Sequence, residues 1–185
     1  MEMLMTFLFS FFCDVCLGDD PYYVAEWSEV IRSCPDFENT NYSFDDLELG
    51  SASGSGDDEG GLTLRGNLVI LEDLKEAYVM DLQIFKCTGF GDEPMYSVEG
   101  DFCSSLKNTD TPWYPIVAKM NTSSCPIPKG EYSLDGLKIS IDFAKDVLTH
   151  DFCGEYKAQM VMKDNIDMLS CHTLGLAVVE KYDEE

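Results

Sequence analysis

The sequence predicts an all-β protein, an antiparallel sandwich or cup in which the apolar faces of several short strands meet. Three observations carry this. Stretches 77–87, 137–143 and 156–163 alternate apolar with polar residues at a period of two, as half-buried strands do. Turn residues punctuate them, as at Gly89, Gly91 and Pro94. No long run of helical periodicity separates one stretch from the next, so strand follows strand.

The 185 residues suit one domain, and an apolar fraction of 45% is ordinary for a globular chain. The net charge of −23 is not ordinary, and it argues against a nucleic-acid partner, which demands a basic footprint. Residues Leu4 to Leu17 are nearly all apolar and are followed by Gly18 and an acidic stretch. Residues 1–18 therefore read as a signal peptide, too short to span a bilayer, although Glu2 and Asp14 interrupt the pattern. A buried N-terminal helix is the alternative. With the leader removed, residues 19–185 form the single domain and the charge becomes −21. Six cysteines remain, Cys34, Cys87, Cys103, Cys125, Cys153 and Cys171. An even count fits three disulfides and an oxidising compartment, either secreted or the lysosomal lumen. None of the six forms a CxxC pair and the only imidazoles are His150 and His172, so no zinc site, and no cofactor, is expected.

Taken in order, residues 19–34 read as an extended entry segment ending at Cys34, and 42–49 as a short strand. The sequons at Asn41 and Asn121 read as surface N-glycosylation sites. Residues 50–61 are an acidic Ser/Gly-rich insertion, read as a flexible loop. Its Ser-Gly repeats also resemble glycosaminoglycan attachment sequences, with Ser55 the better acceptor and Ser53 the second. Residues 62–71 are strand-like, with a bend at Gly66-Asn67. The next strand places Tyr78, Met80, Leu82 and Ile84 on one face, with Asp81 and Gln83 opposite, and Gly89, Gly91 and Pro94 end it. Residues 98–107 suggest a short helix around Cys103. Leu137, Ile139, Ile141 and Phe143 share a face, as do Tyr156, Ala158, Met160 and Met162; residues 169–179 are more uniformly apolar.

Two features point to a cavity between such faces. Met80, Met160 and Met162 provide an adaptable lining. Between Cys103 and Cys125, Trp113, Tyr114, Ile116 and Val117 form a compact apolar group in a proline-flanked loop, a density that suggests a rim touching a ligand or membrane. The loop ends in Cys125-Pro126-Ile127-Pro128-Lys129-Gly130-Glu131-Tyr132-Ser133-Leu134, where two prolines bar a helix and Gly130 turns the chain into a strand.

This stretch resembles the Cys-Pro-x-x-x-Gly-x-Tyr-x-Leu signature of the GM2-ganglioside activator branch of the ML (MD-2-related lipid-recognition) family. The order of Cys34, Gly66 to Ile70, Val79 to Lys86, Cys103, Gly154-Glu155-Tyr156 and Cys171 agrees over residues 28–180. The resemblance implies an immunoglobulin-like β-cup of about eight antiparallel strands around a hydrophobic lipid cavity. Leu134, of the signature, joins the Met, Leu, Ile and aromatic residues above as a cavity or rim position. The same resemblance implies disulfides Cys34–Cys171 and Cys103–Cys125, and leaves Cys87–Cys153 as the third. The cysteine pattern and the acidic insertion depart from the mammalian activator.

The function this implies is a non-catalytic lipid binder or carrier with transient membrane contact, one that presents its lipid to a hydrolase or receptor. The alternative, suggested by Ser53, Ser55 and the sequons, is an extracellular lipid-sensing or proteoglycan-like interaction protein. Catalysis is not expected: His150-Asp151 and Cys171-His172 are the only histidine constellations, and no nucleophile elbow or P-loop occurs. The acidic surface should repel anionic membranes at neutral pH, and less so once carboxylates protonate.

Overall fold

A computed structural model of the chain describes residues 21–51, 62–111, 113–122, 124–139 and 149–182. The expected signal segment, the Ser53/Ser55 loop and Ile141 lie outside these residues. The all-β expectation holds, with nine strands among the described residues rather than about eight. They run β1 (Tyr22–Ser33), β2 (Tyr42–Ser51), β3 (Leu62–Ile70), β4 (Tyr78–Thr88) and β5 (Gly91–Asp101). A 3₁₀ turn (Ser104–Lys107) and a short helix α1 (Tyr114–Lys119) lead to β6 (Gly130–Ser133) and β7 (Leu137–Ile139). A second 3₁₀ turn (His150–Phe152) precedes β8 (Gly154–Asp164) and β9 (Asp167–Lys181). One antiparallel sheet has the order β1-β9-β8-β4-β5; the other has β2-β3-β6, with β7 also pairing β3.

β4 ends at Thr88 and the chain turns at Gly89, as expected, but Pro94 lies inside the next strand and 98–107 is not one helix. Thr88 donates from its hydroxyl to the Gly91 carbonyl at 2.7 Å and accepts the Phe90 N–H, closing a hairpin into β5. Pro94 is tolerated because β5 is an edge strand with a register shift beside it, where a missing N–H costs little. Only Ser104–Lys107 turns helical.

The alternation read from β4 and β8 sets the register. Met80 pairs with Met162 and Gly100, Leu82 with Met160 and Val98, and Ile84 with Ala158 and Tyr96. These rungs face Tyr42, Leu64, Leu68 and Ile70 of the second sheet across a common core. On the opposite face Asp81 is buried rather than solvated, because Lys163 Nζ reaches its Oδ2 at 2.6 Å and Gln83 donates to the same oxygen. The bend at 66–67 is a bulge against β2. Gly66 has φ of +118°, and a Cβ there would stand 2.6 Å from the Asp46 carbonyl oxygen, so only glycine fits.

The first and last strands are locked together. β1 pairs β9, and the Cys34–Cys171 bridge, spanning 137 residues, closes their seam. Beside it, Cys171 N–H donates to Asn39 Oδ1 at 2.7 Å and Thr40 N–H to the Leu169 carbonyl at 2.8 Å. Asn41 then overturns the expectation that both sequons lie at the surface. Its residue is 0% exposed; Nδ2 points at Met162 Sδ, and Ser170 Oγ donates to its Oδ1. An amide enclosed this way has no room for a glycan. Asn121 is exposed, as expected.

Candidate functional site

Between the two sheets lies a cavity lined wholly by apolar and aromatic residues. The first sheet supplies Met80, Met160 and Met162, and the second supplies Tyr42, Phe44, Leu68 and Ile70. Leu74 and Phe102 come from the connections, and α1 with its flanks supplies Trp113, Ile116, Val117 and Met120. That last group closes the cavity because the Cys103–Cys125 bridge, 22 residues apart, tethers the segment at both ends. The lid is held at two more places. Leu74 and Ile127 exchange both backbone hydrogen bonds, at 2.9 and 3.1 Å. Trp113 packs against Gly100, whose missing side chain matters: a Cβ there would be 3.3 Å from the indole.

Where a loop was expected, the segment carries the short helix α1. Trp113, Ile116, Val117 and Met120 follow the i, i+3, i+4, i+7 spacing of an amphipathic helix, and Pro115 sits in the first turn where no N–H is needed. Four methionines line the space, and their flexible, polarisable side chains adapt to shape better than branched ones. About 350 Å³ among these side chains is free of atoms when the open mouth is counted. Only about 20 Å³ admits the centre of a water-sized sphere, and this smaller figure decides what fits as the walls stand. It is room for about one water.

Of the residues predicted for the site, Met80, Trp113, Ile116, Val117, Met160 and Met162 line the cavity. Leu82 and Ile84 share the inner face one and two rungs along, half-buried, but do not line it. Tyr156 is farther along the same row, buried, with its hydroxyl on the Phe152 carbonyl at 2.6 Å. Leu134 is wholly buried core, its N–H bonded to the Gly66 carbonyl; a residue so enclosed is structural. Tyr114 is half-buried on α1 and does not line the cavity. The backbone of Ile139 pairs with Leu62. Sequence reasoning missed Tyr42, Phe44, Leu68, Ile70, Leu74, Phe102 and Met120. The alternation of Tyr42 with Phe44 and of Leu68 with Ile70, and the helical spacing of Met120, were the available signals.

The wall also contains polar atoms without partners. The Tyr42 hydroxyl and Trp113 Nε1 are buried and unpaired, and burial pushes the Tyr42 pKa up. His172 stacks on Tyr42 with centroids 4.8 Å apart and meets Phe44 edge-on at 4.9 Å. Neither of its ring nitrogens has a partner, and burial lowers its pKa to about 4.

The third expected disulfide is absent: Cys87 and Cys153 are free thiols. Lys86 pairs with Tyr156, so Cys153 falls beyond the rung that faces Cys87. Cys87 pairs with Asp92 of β5 instead, while Cys153 sits with His150 and Glu180. The two bridges that do form fit an oxidising compartment. Among the described residues no helix is long and apolar enough to cross a membrane. No protein-family model matches the chain, and no curated protein matches it.

Proposed function

We propose that the protein is a secreted or lysosomal, non-catalytic lipid carrier that holds the acyl part of an amphiphile between its two sheets. The observation that carries this reading is the apolar, methionine-rich cavity closed by a short helix on a disulfide tether. Small-molecule sites occupy about 300–1,000 Å³, so the acyl chain enters by displacing the α1 wall and re-packing the methionines. Each buried CH₂ then contributes about 0.8 kcal/mol, enough for a long chain to repay that movement. A polar ligand atom that reaches Tyr42 or Trp113 relieves an unsatisfied buried group, a cost of about 1–3 kcal/mol each. Selectivity of this kind favours a glycolipid, sphingolipid or other amphiphile over a plain hydrocarbon. Presentation of the lipid to a hydrolase or receptor extends the same role, and the resemblance of the 125–134 stretch is what suggests it.

Native mass spectrometry of the secreted protein, with extraction of whatever accompanies it, tests the reading. Lipid at close to one per chain is the expected result. A protein that stays ligand-free after incubation with mixed-lipid vesicles overturns it.

A further inference from the structure

A second cluster lies away from the cavity, where β9 ends beside the turn that opens β8. The 3₁₀ turn His150–Phe152 is closed by a hydrogen bond from Cys153 N–H to the His150 carbonyl at 3.0 Å, which brings both side chains to one side. Glu180, near the end of β9, faces them: His150 Nδ1 stands 2.9 Å from Glu180 Oε2. One ligand atom each from His150, Cys153 and Glu180 lies within 4.8 Å of the others. Sequence spacing gave no hint of this, because Glu180 arrives through the sheet.

We infer that His150, Cys153 and Glu180 form a binding site for one zinc ion, with water as the fourth ligand. An imidazole nitrogen, a thiolate and a carboxylate are the donors zinc takes, and a thiolate in the set disfavours calcium and magnesium. Around tetrahedral zinc such donors stand roughly 3.3–3.6 Å apart. The cluster therefore has to contract by about 1 Å, which the exposed His150 side chain, 78% accessible, can supply by rotation. Glu180 is already oriented: the Tyr182 hydroxyl donates a hydrogen bond to its Oε1, which leaves Oε2 towards His150. Such outer hydrogen bonds fix ligand orientation. On binding, the Cys153 thiol gives its proton to solvent as the S–Zn bond forms, so no oxidant or reductant is needed. The ion pins the end of β9 to the turn before β8, and it gives Cys153 a partner other than Cys87.

The test uses the full chain, its cysteine state first mapped without reduction. Zinc titration by calorimetry should saturate at one ion per chain, with proton release that tracks pH. Cobalt substituted for zinc should give a thiolate charge-transfer band. Cys153→Ser and His150→Ala should each lower zinc affinity by about 10- to 100-fold while Cys87→Ser leaves it unchanged. His150 is exposed, so its variant folds even if the cysteine variant does not. A Cys87–Cys153 bridge in the purified protein, no saturable binding, or binding indifferent to His150→Ala overturns the inference.

Discussion

The seam at Cys34–Cys171 and the wall at Cys103–Cys125 are both fastened by a disulfide, yet they are made of opposite materials. At the seam the bridge is flanked by paired polar groups, Asn39 with Cys171 and Asn41 with Ser170, and by two long antiparallel strands. At the wall a six-residue helix carries apolar side chains onto a methionine lining, with no hydrogen bond from Trp113 Nε1. Directional bonds fix the seam in one arrangement. Dispersion and burial hold the wall, and these tolerate re-packing. The difference teaches that one molecule can keep a rigid hinge line and an adaptable cover by choosing the chemistry of each.

The strongest way to break the comparison is to remove each bridge. On a chain-entropy argument, Cys34→Ser with Cys171→Ser costs about 5 kcal/mol and Cys103→Ser with Cys125→Ser about 3 kcal/mol. Denaturant unfolding measures both. Loss of the wall bridge should also release bound lipid faster at equal stability, whereas equal release from both variants would erase the distinction.

A smaller effect sharpens the seam's side. His172 is neutral in the folded protein down to about pH 4, while in the unfolded chain it takes a proton near 6.5. The unfolded state therefore binds more protons in that window. Its contribution is fully present above pH 6.5 and declines as pH falls to 4, by on the order of 3 kcal/mol. The stability difference between the native protein and His172→Phe should shift by this amount between pH 7 and pH 4. A pH-independent difference would contradict the burial argument.

The smallest effect lies on the wall. Ile116 is half-buried, so Ile116→Ala should cost only about 1–2 kcal/mol in unfolding. Affinity for an acyl ligand should fall by about tenfold, because the lost contacts face the cavity. A stability loss with unchanged affinity would place the ligand elsewhere.

How much of this the sequence held depended on distance along the chain. The alternation of Met80 to Ile84 and Tyr156 to Met162 is local, and the faces it assigned meet as the rungs Met80–Met162, Leu82–Met160 and Ile84–Ala158. The helix at Tyr114–Lys119 was also written locally, in the spacing of Trp113, Ile116, Val117 and Met120, but flanking prolines argued for a loop. Pro94 misled for the opposite reason, since its tolerance depends on β5 being an edge. Two disulfides followed from the family resemblance; the third did not, because the β4–β8 register separates Cys87 from Cys153. The burial of Asn41 had no local sign at all, as its partner Ser170 lies 129 residues away.

That separation sets a schedule. During synthesis at about 5–20 residues per second, the Asn41-Tyr42-Ser43 acceptor emerges on the order of 10 s before Ser170 does. Throughout that interval the amide is uncovered, and afterwards it is sealed. Any bulky group attached to it early would block the arrival of β9 and with it the Cys34–Cys171 bridge. Closure at Asn41 is therefore a late event, and it requires an Asn41 side chain that is still bare when Ser170 arrives.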